Sequence, residues 1–169
     1  MDALEAIFSR RSIRRYTDKP IPEELTQQLL KAAMAAPSAS NEQPWEFVVI
    51  DDRRLFNDIM NSHPYASMLF EAKLVLAVCG DLRREKFKGY WVEDCSAALE
   101  NILIAAHALG LGAVWLGVYP REERVAAVRK ILKLPDPIIP LGLISIGFPA
   151  ESKPPSNRFD ASRVHHNGW

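Results

Sequence analysis

The sequence predicts a protein of mixed helices and strands, built around one buried helix and the strand that follows it. Three observations carry this. Between Trp91 and Gly110 the residues Ala97, Ala98, Leu99, Ile102, Leu103, Ile104, Ala105, Ala106, Ala108 and Leu109 cover nearly every face of a helix, and a helix apolar all round is buried on all sides, in a core or against another subunit. Four short apolar runs, Glu46–Ile50, Leu74–Cys79, Ala113–Val118 and Leu141–Phe148, read as buried strands. The segments between them keep helical spacing, and 169 residues are enough chain for one domain with a real core.

In chain order, Asp2–Ser9 is a short helix with Leu4, Ile7 and Phe8 on one face and two acids near the positive end of its dipole. Arg10-Arg11-Ser12-Ile13-Arg14-Arg15-Tyr16 then sets four arginines within six residues. Guanidinium groups make paired, charge-assisted hydrogen bonds to phosphate, and a serine hydroxyl or backbone amide completes the cradle. The segment is thus a candidate anion site, with a solvated basic turn as the alternative. Ile13 and Tyr16 would hold it against the protein, which favours a small phosphate ligand over a polymer. Pro22 suits the first position of a helix, and Leu25, Leu29, Leu30, Ala33 and Met34 continue it to about Ala36.

Pro37–Trp45 is a rigid loop of prolines and small polar residues. Ser38, Asn41 and Gln43 offer donors and acceptors suited to the polar edge of a planar heterocycle, with a structural crossing loop as the alternative. After the strand Glu46–Ile50, Asp51–Asn61 is a helix with Leu55, Phe56, Ile59 and Met60 inward. The charged stretch Asp81–Gly89 is a solvated loop or a lid. Gly110 ends the buried helix in the left-handed conformation that glycine accepts without steric cost. Arg121–Leu132 is amphipathic, with Val125, Val128, Ile131 and Leu132 inward, and Pro135 and Pro137 end it. From Pro149 onward the core pattern stops, yet Phe159, Val164 and Trp169 predict a tail docked on a neighbour.

Lys+Arg and Asp+Glu both number 21, so the net charge is zero, which argues against a general nucleic-acid or membrane-surface binder. Cys79 and Cys95 make no disulfide framework and fit a reducing cytoplasm. The first residues lack the build of a signal peptide, and no apolar run reaches the length of a membrane span. There is no Gly-x-Gly-x-x-Gly turn and no phosphate loop of the Walker type. His63 and His107 stand alone, and His165-His166 has no third ligand nearby, so no metal site is expected. No nucleophile triad announces itself. A phosphate cradle with no evident acid, base or nucleophile points to a cofactor that carries the reaction.

Three stretches together resemble the FMN-dependent nitroreductase family: Arg10-Arg11-Ser12-Ile13-Arg14; Pro37-Ser38-Ala39-Ser40-Asn41-Glu42-Gln43-Pro44-Trp45, running into Phe47-Val48-Val49; and Ala97-Ala98-Leu99-Glu100-Asn101-Ile102-Leu103 through Gly110-Leu111-Gly112. Asn157-Arg158-Phe159 and Arg163-Val164-His165 extend the likeness to the tail, and it is weakest over Asp52–Gly89. The resemblance implies an α+β fold, with a mixed central sheet flanked by helices, in a homodimer. A single nitroreductase-like domain would span residues 1–169, its tail from about residue 150 to 169 extending over the partner subunit. FMN would lie at the subunit interface, touched by both chains.

By position, the resemblance assigns Arg10, Ser12 and Arg158 to the FMN phosphate, with Arg11 in support. Arg14 would reach the pyrimidine end of the ring, where a cation stabilises the negative charge that develops on hydride uptake. Pro37, Ser38 and Asn41 would touch the ring from the other subunit. Trp115, Leu116 and Gly117 would lie beside the reactive ring nitrogen, with backbone amides as donors. Many relatives carry a second basic residue just before the position of Arg158. Here Ser156 and Asn157 stand there, which implies a looser hold on the phosphate.

The expected activity is an FMN-dependent oxidoreductase. NADH or NADPH would reduce the flavin, and a nitroaromatic, quinone or similar flat acceptor would take the electrons from the same place in ping-pong order. The protein would contribute position, charge and exclusion of water, with no catalytic side chain and no metal. The alternatives are a flavin storage protein with little turnover, a relative that dehalogenates or fragments flavin, and a nucleic-acid adaptor resting on Arg10–Arg15. The expected setting is cytoplasmic, with no nucleic-acid or membrane partner.

Overall fold

Capping chemistry sets where the helices begin. Asp2 accepts the Glu5 N–H at 2.9 Å and opens α1 (Ala3–Ser9), and Asp52 accepts the Arg54 N–H at 2.8 Å and opens α3 (Arg53–Ser62). Pro22, expected inside the first turn of α2 (Glu23–Met34), instead takes the extended capping position just outside it, with ψ 145°. The structure, a computed structural model, describes residues 1–169. Its remaining elements are β1 (Trp45–Ile50), β2 (Leu74–Asp81), α4 (Trp91–Ala108), β3 (Gly112–Gly117), α5 (Glu122–Leu132) and β4 (Ile138–Gly147).

The strands form one sheet in the order β1-β2-β4-β3. All three pairings are antiparallel, and parallel pairing is confined to one bridge, Ser12 with Ala113. The fourth strand starts three residues before its expected start at Leu141, because Ile138, Ile139 and Pro140 pair with Asp81, Gly80 and Cys79 beyond a register shift at Val78/Cys79. Pro140, which cannot donate to a ladder, sits at that irregularity.

Alternation along β2 sorts its side chains between two cores. Val75, Ala77 and Cys79 face Phe56, Ile59 and Val128 beneath α3 and α5. Leu74, Leu76 and Val78 face Leu29, Ala33, Leu99 and Ile102 beneath α2 and α4. Every residue of β2 is buried. The chain covers α4 at Leu99, Ile102, Leu103 and Ala106, while Ala97 and Ile104 stay half-buried and Ala108 exposed. The all-round burial expected of this helix is therefore incomplete within one chain. No helix is long and apolar enough to cross a membrane.

The arginine-bearing segment lies across the end of the β3–β4 pair. Gly112 and Gly147 are cross-strand partners there. A Cβ on Gly112 would fall 2.6 Å from Cγ2 of Ile13, and one on Gly147 would fall 2.7 Å from Cγ of Tyr16. Two glycines facing each other thus make a flat seat into which Ile13 and Tyr16 fit. The Tyr16 hydroxyl donates within reach of the Ile13 and Ser145 carbonyls, at 2.7 and 3.1 Å, and burial pushes its pKa up. Backbone bonds from Ile13 to Ala113 and from Thr17 to Phe148 complete the attachment, at 3.0 and 2.8 Å.

Candidate functional site

Arg10 and Arg11 leave the end of α1, and the tail returns Arg158 to meet them. The three arginines line one cavity of about 560 Å³, together with Ile7, Phe8 and Pro155–Phe159. Arg10 Nε also lies 3.4 Å from Glu100. Arg11 donates through Nε to the Pro154 carbonyl at 2.9 Å and through Nη1 to the Phe8 carbonyl at 3.1 Å. Its Nη2 is buried and has no acceptor. Three guanidinium groups at one cavity fit an anionic oxygen such as that of a phosphate, which such groups bind through charge-assisted hydrogen bonds. Ser12 stands one residue outside the lining, half-buried. Ser156 and Asn157 line the cavity and add no charge.

Arg14 is exposed, and it lines a separate hollow of about 350 Å³ with Arg15, Ser67, Met68, Phe70 and Glu71. Its backbone is fixed by the chain that follows β4. The Arg14 N–H donates to Glu151 Oε1 at 2.6 Å, and Lys153 Nζ donates to the Ser12 carbonyl at 2.6 Å while lying 3.3 Å from the same Glu151 oxygen. Glu151 and Lys153 escaped sequence reasoning because they sit where the core pattern has ended and no local spacing ties them to Ser12 or Arg14.

Acceptance of the Arg14 N–H holds the Glu151 carboxyl below its ordinary range, with Lys153 assisting. The folded state therefore favours ionised Glu151 more than the unfolded chain does. That contribution is fully present above the unfolded carboxylate pKa and is lost as pH falls through the lowered folded value. Glu151→Gln is expected to lower the melting temperature at pH 7, with the gap from wild type closing as the pH drops below about 4. A gap that is constant with pH would show that the charge is not what matters there.

The outer edge of β3 is the third part of the site. Val118 N–H bonds to Leu141 at 3.3 Å, whereas the Ala113 carbonyl accepts Ile13 N–H from the other side. Backbone groups alternate in direction along an antiparallel strand. The amides of Trp115 and Gly117 therefore turn away from β4, toward the open edge. Leu116, between them, directs its backbone to β4 and its side chain into the core, so it carries no donor on that edge. The Trp115 indole lies over Gly142, beside Leu99.

The Gly117 carbonyl accepts from His63 Nε2 and from Arg124 Nη1, both at 2.9 Å. His63 is buried, and its Nδ1 accepts the Tyr65 N–H at 3.2 Å, so the ring proton sits on Nε2. A histidine that looked solitary in the sequence is thus a clamp on the end of β3. No three His, Cys, Asp or Glu residues gather in a metal-binding group.

The Pro37–Gln43 loop is sharply bent, with Ser40, Asn41 and Gln43 all in the left-handed region at φ 47°, 55° and 50°. Asp94 Oδ1 holds it by accepting the Ala39 N–H at 2.9 Å, and Ser38 Oγ accepts the Gln43 N–H at 3.0 Å. Asn41 Oδ1 accepts from Gln43 Nε2 at 2.8 Å. Pro37 and Ser38 line a hollow of about 340 Å³ against Tyr90, Glu93, Asp94 and Ala97, which shares no residue with the two arginine hollows. The largest cavity, about 610 Å³, is an apolar space between Leu82, Trp91, Tyr119 and α5, and it too shares none of them.

An arginine cradle and a strand edge with outward-turned amides stand on one antiparallel sheet packed with helices, which defines an α+β protein with a candidate anion site. Residues 7–148 match the Nitroreductase family, and the chain belongs to that family. It is 48% identical over 169 residues to a provisionally named NADH dehydrogenase/NAD(P)H nitroreductase of Methanothermobacter thermautotrophicus, covering 100% of this chain and 88% of the relative. A solved structure from Parabacteroides distasonis, under the same provisional name, superposes with TM-score 0.95 at 43% identity, covering 99% of this chain and 98% of that one. An FMN-dependent nitroreductase from Clostridium difficile superposes with TM-score 0.90 at 31% identity, covering 98% and 99%.

Proposed function

We propose that this chain, an NAD(P)H-dependent FMN oxidoreductase, reduces nitroaromatics, quinones or similar flat conjugated acceptors, with donor and acceptor using one face in turn. The observation that carries the proposal is the continuity of the Arg10–Arg14 segment. It begins in an arginine cradle, crosses the Gly112–Gly147 seat beside β3, whose outer edge carries the Trp115 and Gly117 amides, and ends with the exposed Arg14. When bound, FMN accepts a hydride from NAD(P)H and passes the electrons to the acceptor.

Arg10, Arg11 and Arg158 would hold its phosphate, with Ser12 beside them. The Arg14 guanidinium would sit at the pyrimidine end and favour negative charge there. The Trp115 and Gly117 amides would donate to the ring edge without reorganising. No side chain need move a proton: the chain binds, orients and excludes water. Pro37, Ser38 and Asn41, which line neither arginine hollow within one chain, would act across a homodimer interface. The half-open stripe Ala97, Ile104 and Ala108 on α4 supports such an interface, as does a tail with Phe159 79% exposed and Trp169 fully exposed. In this arrangement residues 1–169 are one domain whose tail crosses to the partner.

The test is the visible spectrum of the purified protein before and after anaerobic NADH or NADPH. A flavin spectrum that bleaches supports the proposal, and one that bleaches with neither donor would favour storage. A colourless protein that FMN cannot reconstitute would remove it. Arg158→Ala is expected to weaken FMN retention about 10- to 100-fold, the scale of one charge-assisted phosphate contact. Equal retention on dilution would place the phosphate elsewhere.

A further inference from the structure

The edge of β3 carries a second cation, to which the flavin assignment gives no role. Arg124, in the first turn of α5, bonds to the Gly117 carbonyl, and its guanidinium carbon lies 5.5 Å from the centre of the Tyr65 ring. His63 already satisfies that carbonyl at 2.9 Å, so Arg124 is not needed to pin it. The contact uses one of the five guanidinium donors. Arg124 makes no ion pair and no other side-chain hydrogen bond within the chain. Tyr65 is 68% exposed, yet its ring is placed: its backbone N–H is held by His63 Nδ1, and the two rings meet edge to face at 6.3 Å. From Tyr65 the chain runs directly into Ser67–Phe70, which lines the Arg14 hollow. Arg14 and Arg124 therefore flank one short segment, with an exposed aromatic ring at one end and the exposed Phe70 at the other.

We propose that Tyr65 and Arg124 form the acceptor-recognition site, and that it selects flat aromatic acceptors bearing an anionic oxygen group, such as a carboxylate, over neutral ones of the same shape. The Tyr65 face stacks on the acceptor ring, and the free guanidinium donors take the anionic oxygens in a paired hydrogen bond. Because Arg124 is already oriented by Gly117 and by the Tyr65 ring, little side-chain freedom is lost on binding. This rests on the flavin reading above.

The test uses the oxidised holoenzyme without donor. Dissociation constants for 4-nitrobenzoate and nitrobenzene are read from the perturbation of the flavin spectrum, in wild type, Arg124→Met and Tyr65→Leu. Arg124→Met is expected to weaken 4-nitrobenzoate about 10-fold and to leave nitrobenzene within about 2-fold, since only the charge-assisted bond is lost. Tyr65→Leu is expected to weaken both. Equal effects of Arg124→Met on the two compounds, or none on either, would overturn the inference. So would an effect confined to the rate of flavin bleaching by NADH or NADPH, which would assign Arg124 to the donor. Normal flavin content and bleaching in Arg124→Met, with 4-nitrobenzoate binding unchanged, overturns this inference alone. A wild-type protein that holds no flavin overturns both it and the reading beneath it.

Discussion

Arg14→Ala is expected to leave FMN bound and to slow its reduction by NADH or NADPH about 10- to 100-fold, the scale of losing one preorganised charge at a developing anion. The substitution is a clean probe because the backbone does not depend on the side chain. The Arg14 N–H is held by Glu151, and the neighbouring Ser12 carbonyl by Lys153. Truncation therefore removes the guanidinium and leaves the segment in place. Arg10, Arg11 and Arg158 line a different hollow from Arg14, so phosphate binding should persist. Anaerobic stopped-flow of flavin bleaching measures the effect, and a second reading of flavin content after dilution controls for retention. A wild-type reduction rate in the variant would remove Arg14 from the ring.

Gly112→Ala is expected to cost about 1–3 kcal/mol of stability, the range for overpacking a well-filled contact, and to weaken FMN binding at the same time. The new Cβ would stand 2.6 Å from Cγ2 and 2.9 Å from Cβ of Ile13. Cβ of Ile13 is anchored to its backbone, so relief requires the whole segment to lift from β3. That movement breaks the 3.0 Å bond from Ile13 to Ala113 and displaces Arg10, Arg11, Ser12 and Arg14 together. Ile13→Ala in the same chain removes the Cγ2 contact and leaves the 2.9 Å contact with Cβ, so it relieves part of the clash. The pair should show a coupling of about 1 kcal/mol or more in a double-mutant cycle. Melting temperature and flavin retention are the two readouts. A Gly112→Ala protein with both unchanged would mean that the segment has another way to seat.

Several site residues could be found in the sequence because their chemistry is local. Four arginines in six residues mark a candidate anion site wherever the segment lies. The Pro37–Gln43 loop declares itself by prolines and small polar residues, and three of its residues take left-handed backbone. The strands were visible because β2 alternates between two apolar cores and so reads as a continuous apolar run. Ile138–Pro140 was the exception, since Pro140 looks like a strand breaker until the register shift in β2 gives it a place.

His63, Arg124, Glu151 and Lys153 could not be found this way. Each acts on a backbone group distant in sequence: His63 and Arg124 on Gly117, Lys153 on Ser12, and Glu151 on Arg14. Such bonds leave no period and no motif, because a carbonyl or an amide is the same at every residue. The sequence by itself determined the element types, the buried helix at the centre, the arginine-rich segment and the family likeness. These follow from side-chain chemistry and spacing along one chain. Only the tertiary structure decided that Gly112 faces Gly147, that the edge of β3 keeps the Trp115 and Gly117 amides open, and that cations stand at either end of the Tyr65–Phe70 segment. Those features arise from register and packing between elements, which sheet pairing creates and which no single stretch of sequence contains.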